Sequence, residues 1–318
     1  MIIDKKKGRI TIYTVEKDYD NNQLQKILNK KLQPSEISFI INEDADVYTK
    51  DGKLLLKFRK NVLDKKCIDS FYENVIKFAE LTTNNRGNAL GSKKRNIYDN
   101  EKIKSNIIGF FDTLSPQQKF LLKQKNIKNM ISVRPTRFVI DYPEKYNKLL
   151  PLVQQIDEYY KKLTPEHYEK QRKKANQTHF KIKNTSFTTI TTNVNFQTTV
   201  HTDKGDDIEG FGNLSVIEKG KYTGGETCFP QYGIGVNVRS GDVLFMDVHE
   251  AHGNLPIITD SNETKRLSIV CYLRKNIWEK TKGKSKEFFN NQIELIKNIK
   301  NQKTKKNKSI KNKTRKNR

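Results

Sequence analysis

Two short pieces of this 318-residue chain carry side chains that could do metal chemistry: His201-Thr202-Asp203, and His252-Gly253 followed by Arg266-Leu267-Ser268. On a strand, an imidazole and a carboxylate two residues apart project from the same face. A second imidazole about fifty residues on completes a two-histidine, one-carboxylate set. That set suits non-haem Fe(II), with positions left open for oxygen chemistry. Two histidines compete for the third place, His249 and His252. His252 is favoured, because Gly253 lets backbone approach closely there and because it lies nearer the Arg266 segment. Arg266 and Ser268 share a strand face, where a guanidinium fork and a hydroxyl would dock a carboxylate.

These residues need strands to hold them. Beyond Phe187 the chain breaks into short β-branched or aromatic runs separated by Gly-rich turns: 187–203, 211–217, 226–229, 234–238, 243–247 and 267–274. Closely spaced strands without intervening helices predict an antiparallel sandwich or barrel, with a jelly roll fitting best. Counting by twos, Asn193, Asn195, Gln197, Thr199, His201 and Asp203 fall on one face, and Val194, Phe196, Thr198 and Val200 on the other. A barrel interior lined with amides and hydroxyls is costly unless it holds water, metal or substrate. In the last strand Arg266, Ser268, Val270 and Tyr272 share one face, and Leu267, Ile269, Cys271 and Leu273 the other.

Upstream, the pattern predicts supporting helices. Leu149, Val153, Ile156, Tyr160 and Leu163 form a helical stripe, Ser115-Pro116 starts a helix, and Thr164-Pro165 starts another. Residues 1–103 read as a small α+β accessory region. It has strands at 9–14 and 37–41, a hairpin about Asp51-Gly52, a helix over 67–81 and a polar linker at about 82–103. Residues 104–278 form the candidate catalytic domain, and 279–318 a basic tail expected to be largely disordered.

The formal charge is +25, from 61 basic and 36 acidic side chains. The last forty residues contribute +12, so the rest of the chain still carries +13. An excess of this kind favours polyanionic partners, chiefly nucleic acid. Cys67, Cys228 and Cys271 form no CxxC pair, which argues against a disulfide framework and for a reducing compartment. No apolar run approaches the ~18 residues of a membrane span. The protein is expected to be soluble and intracellular.

The run from Asn193 to Asp206, with Gly224-Gly225-Glu226, Arg239 to Phe245, His252 to Pro256 and Arg266 to Arg274, resembles the 2-oxoglutarate/Fe(II) dioxygenases. More narrowly it resembles their TET/J-binding-protein branch, over residues 107–275. The fold class this implies is α+β: a double-stranded β-helix (jelly-roll, cupin-like) barrel with supporting helices, beside the small N-terminal α+β module. The resemblance implies Fe(II) on His201, Asp203 and His252, 2-oxoglutarate on Arg266 and Ser268, and O2 as oxidant. The reaction it implies is hydroxylation of the methyl group of 5-methylcytosine or thymine in nucleic acid, DNA above RNA. In that branch the position five beyond the first ligand histidine meets the target base, which here is Asp206. A carboxylate accepts from the exocyclic amine of cytosine and repels O4 of thymine, which tilts Asp206 toward cytosine. Asn195 is a second candidate for a base or co-substrate contact. Two other readings share the pattern: a prolyl or lysyl hydroxylase with the same metal set, and an inactive nucleic-acid-binding homologue. The gap of 14 between His252 and Arg266 is longer than the family norm, and the polar insert 259–264 is expected to loop out.

Overall fold

The computed structural model describes residues 3–83, 103–114, 116–124 and 130–298. At its centre is a mixed ten-stranded sheet. Its order is Ile3–Lys7, Ile10–Val15, Ala45–Thr49, Leu54–Arg59, Val243–Met246, Gly212–Lys219, Lys265–Tyr272, Thr189–Val194, Ser105–Phe111 and Arg134–Pro135. A four-stranded sheet runs Gly253–Asn254, Thr227–Phe229, Ile234–Val236 and Phe39–Ile41, and a small ribbon pairs Tyr222–Gly224 with Ile257–Thr259.

Period-two patterning sorts the central strands between two cores. Val243 and Phe245 join Ile217, Leu267, Ile269 and Cys271 beneath the helices Lys65–Ala79 and Pro143–Leu163. Those helices contribute Phe71, Val75, Leu149, Val153 and Ile156 to the same cluster. The alternate residues Leu244 and Met246, with Leu214 and Val216, pack against Phe229, Ile234 and Val236 of the four-stranded sheet. The large sheet is thus covered by helices on one face and by a second sheet on the other.

The N-terminal strands are built into both sheets. Leu54–Arg59 pairs antiparallel with Val243–Met246, and Phe39–Ile41 pairs parallel with Ile234–Val236. With the parallel pair Ile10–Val15 and Ala45–Thr49, these additions make the architecture mixed instead of purely antiparallel. Ser105–Phe111, which the local pattern did not announce as a strand, pairs with Thr189–Val194. At the other end the helix Lys275–Thr281 and a helical stretch at 286–298 pack onto the body. Ile277, Phe288, Phe289 and Ile293 meet Phe110, Val133 and Phe180, so the folded part reaches beyond residue 279. Most of the linker at 82–103, and the basic run from Lys303 to Arg318, lie outside the described residues. Among the described residues no helix is long and apolar enough to cross a membrane.

Candidate functional site

A cavity of about 970 Å³ opens between the sheets, lined by His201, Asp203, His252, Arg266, Ser268 and Asp206 among others. The volume lies toward the upper end of ligand-binding sites.

The corner that groups His201, Asp203 and His252 is assembled by backbone pairing. His201 and His252 face each other across an isolated antiparallel bridge, each amide donating to the other's carbonyl at 2.9 Å. The Asp203 amide donates to the Val248 carbonyl at 3.0 Å, which turns its carboxylate toward the two rings. Gly253 eases the close approach at this bridge. A Cβ there would stand 3.3 Å from the Thr199 carbonyl oxygen and 3.4 Å from the Val200 Cα.

Each imidazole is oriented from behind. Nδ1 of His201 lies 2.7 Å from the Thr199 carbonyl, and Nδ1 of His252 lies 3.0 Å from the Glu250 carbonyl. A carbonyl can only accept, so both Nδ1 atoms carry the proton and both Nε2 lone pairs are left for a ligand. These Nε2 atoms stand 3.5 and 3.7 Å from the two Asp203 carboxylate oxygens. The three ligand atoms all lie within 4.8 Å of one another. Metal–ligand bonds of about 2.0–2.2 Å would set cis donors about 3 Å apart, so a small inward movement closes the set. Burial, reinforced by the neighbouring His201, depresses the His252 pKa to about 4 and keeps that ring in the neutral form a metal requires.

His249 does not take part. Its Nε2 lies 3.2 Å from the Asp207 carbonyl, and its amide donates to Asp247. His167 packs on Phe211, and His179 lies near Phe289.

Arg266, Ser268, Val270 and Tyr272 all line the cavity, as the alternation predicts. Arg266 is 4% exposed, and one guanidinium nitrogen donates to the Gly225 carbonyl at 2.8 Å. Its Nε has no hydrogen-bond partner. Burial weakens the hold of this guanidinium on its proton, and a buried cation with a spare donor needs an anion. Ser268 accepts from the Asn193 side chain at 3.2 Å, leaving its own proton to donate. Next to Arg266, the Arg239 guanidinium lies 4.3 Å from the Tyr222 ring centre and pairs with Glu218 at 3.2 Å.

Asn195, expected to contact base or co-substrate, has both ends of its side chain engaged by backbone. The strand ends at Val194, and Asn195 takes φ +48°, breaking the count by twos. Its side-chain oxygen accepts from the Arg266 amide at 2.6 Å, and its nitrogen donates to the Thr264 carbonyl at 2.7 Å. Asn195 therefore clamps the edge of the Arg266 strand and lies outside the cavity lining. The chain re-enters the cavity at Phe196 and Thr198, which belong to the face expected to point away.

Asp206 stands on the cavity wall, bridged through backbone to Arg274. Sequence reasoning missed its cationic neighbours. Arg134 and Arg137 line the same cavity, with Lys204 and Arg274. The guanidinium carbons of Arg134 and Arg274 lie 5.6 and 4.8 Å from the Phe111 ring centre. Two arginines flanking Pro135-Thr136 were the available signal. Asn254 was also missed as a positioning residue. Its oxygen accepts from the Thr198 amide at 2.8 Å and hydroxyl at 2.9 Å, and its nitrogen donates to the Leu255 carbonyl at 3.0 Å.

Residues 125–275 match the family described as Tet_JBP, the oxygenase domain of the 2OGFeDO superfamily. Over 123 residues the chain is 41% identical to the "Bifunctional helicase and thymine dioxygenase JBP2" of Leishmania braziliensis, covering 39% of this chain and 11% of that protein. Over 151 residues it is 32% identical to the "Thymine dioxygenase JBP1" of Trypanosoma brucei brucei, covering 47% and 18%. The chain thus spans less than a fifth of the length of these relatives. Among solved structures, NgTET1 in complex with 5mC DNA shares the fold with a TM-score of 0.50 at 17% identity, over 83% of this chain and 94% of that one. The likeness to the TET/J-binding-protein branch of the 2-oxoglutarate/Fe(II) dioxygenases, read from the motifs, is borne out.

Proposed function

We propose that the chain is a 2-oxoglutarate- and Fe(II)-dependent dioxygenase that hydroxylates the methyl group of 5-methylcytosine or thymine in nucleic acid. The observation that carries this is the convergence of His201, Asp203 and His252 with both Nδ1 atoms held by carbonyls. One carboxylate and two neutral imidazoles on one side of a cavity are a donor set that suits Fe(II), which these three residues would hold. Iron held there would supply the activation of O2, with 2-oxoglutarate as the co-oxidised partner.

The chain's own groups do the rest. Arg266 receives the far carboxylate of 2-oxoglutarate through its unpartnered Nε, and the Ser268 hydroxyl adds a donor. Thr199 and Glu250 hold the ligand rings in one tautomer. Asp206 meets the base edge, while Arg134, Arg137, Lys204 and Arg274 offset its phosphate charge. A base paired within a duplex cannot reach this cavity, so the target must be flipped out or single-stranded. The two facing sheets form a double-stranded β-helix in this reading. The catalytic unit is residues 104–278, residues 1–103 are accessory, and 279–318 add basic affinity for a polyanion. The site of action is inside the cell, where nucleic acid is.

The names of the J-binding relatives support a thymine substrate, and the NgTET1 complex supports 5-methylcytosine. The test is incubation with Fe(II), 2-oxoglutarate and methylated or thymine-containing DNA and RNA, followed by mass spectrometry of the nucleosides. Hydroxymethylated base from the wild type, and none from Asp203→Ala, is expected. Succinate release with no modified nucleoside would move the substrate to another class.

A further inference from the structure

We propose that Ile208 is a wedge that enters the base stack of a duplex and holds open the gap left by the extruded nucleotide. The inference rests on the nucleic-acid reading above and names the residue that delivers a paired base to the cavity.

At 72% exposure, Ile208 is the most exposed large apolar side chain among the described residues. It sits in the loop that follows the metal-binding His201-Thr202-Asp203, two residues beyond Asp206, which lines the cavity. With Cα atoms about 3.8 Å apart along the chain, Ile208 starts within about 7.6 Å of Asp206. A base drawn to Asp206 would leave the stack on the side of the cavity that carries this loop.

The loop is braced rather than loose. The Asp207 amide donates to the Leu273 carbonyl at 3.0 Å, the Lys275 amide to Gly205 at 3.0 Å, and the Gly210 amide to Asp207 at 3.1 Å. Lys174 bonds the Asp207 carboxylate and pairs with Glu209 at 2.7 Å, so the acids flanking Ile208 are offset by a cation. Lys204 lies in this loop, Arg274 is bridged to Asp206 and pairs with Asp112 at 2.9 Å, and Arg134 and Arg137 line the same cavity, where they suit the phosphates of a distorted strand. A held apolar tip at the edge of a cavity that cations also line matches what kinking and flipping proteins insert between bases. An isoleucine held in water at such a site gains nothing for the free protein. Between two bases it recovers the hydrophobic contact that the displaced base gave up.

The test compares wild type with Ile208→Ala and Ile208→Ser on one oligonucleotide, presented as a duplex and as a single strand. Loss of the wedge is expected to lower duplex hydroxylation by about tenfold or more, with single-strand hydroxylation within about twofold of wild type, since no stack must be opened there. A second readout needs no turnover: a duplex carrying 2-aminopurine beside the target base. Its fluorescence should rise on binding wild type and stay near the free-duplex level with either variant at saturating protein. Equal losses on both substrates, no loss on either, or the same fluorescence rise with Ile208→Ala would overturn the wedge. If the wild type hydroxylates neither substrate, the reaction reading fails. The fluorescence comparison still decides for or against the wedge.

Discussion

Replacing Asn254 by alanine should loosen the segment that carries the first metal ligand, and the structure sets the size of the effect. The Asn254 oxygen takes the Thr198 amide and hydroxyl, and its nitrogen serves the Leu255 carbonyl, while the residue is 8% exposed. Alanine removes these bonds together and leaves the half-buried Thr198 amide at the cavity wall without its partner. A net hydrogen bond contributes about 0.5–1.5 kcal/mol, and a buried group left unpaired costs about 1–3 kcal/mol. The expected loss is therefore about 2–4 kcal/mol of unfolding free energy, read from urea titration with an unchanged slope. Part of the loss should be local, because residues 195–200 connect the clamp at Asn195 to His201. Disturbing the supports of metal ligands costs about 10- to 100-fold in affinity, so anaerobic calorimetry with Fe(II) or Mn(II) should show weakening in that range. Asn254→Asp keeps the accepting oxygen and should fall between the two. A stability change under about 0.5 kcal/mol with unaltered metal affinity would refute the reasoning.

Other perturbations test other parts of the site. Arg266→Lys keeps the charge but loses the guanidinium fork, and should raise KM for 2-oxoglutarate by about tenfold or more with a smaller change in kcat. Gly225→Ala should act the same way through crowding. Its Cβ would sit 2.9 Å from Arg266 Nε, on a backbone at φ +77° that side chains disfavour, and a co-substrate titration reads the loss. For pH, His252 has a folded pKa of about 4 against about 6.5 when unfolded. Between these values the unfolded chain binds more protons, so metal-free protein should lose stability as pH falls from about 6.5 toward 4. The loss should be on the order of 3 kcal/mol at most. Urea midpoints across that interval measure it, and His252→Asn should flatten the slope.

Much of the site was legible because it rides on one regular strand. From Arg266 to Tyr272 the odd-numbered side chains meet the helices' core and the even-numbered ones the cavity, so counting by twos placed Arg266 and Ser268 on the right face. The same count failed between Val194 and His201, where one residue in a left-handed conformation resets the phase. Asparagine tolerates that conformation better than most residues, and this was the only local hint. Gly253 argued for His252 over His249, and the close approach beside that glycine is indeed at the bridge joining His201 to His252. The place of the N-terminal strands could not be read. Phe39–Ile41 finds its partner at Ile234–Val236, and no local periodicity encodes a pairing across so much chain. Ser105–Phe111 was hidden for another reason. Its run of apolar residues around Gly109, at φ +96°, shows neither alternation nor helical spacing.

Isotopic oxygen tests the central proposal most directly. The 318-residue chain is given Fe(II), 2-oxoglutarate and an oligonucleotide with one 5-methylpyrimidine, under heavy-isotope O2 in ordinary water. Mass spectrometry should find one heavy oxygen in the new hydroxymethyl group and one in the succinate. Heavy succinate beside an unmodified oligonucleotide, or a base whose added oxygen comes from water, would contradict the account.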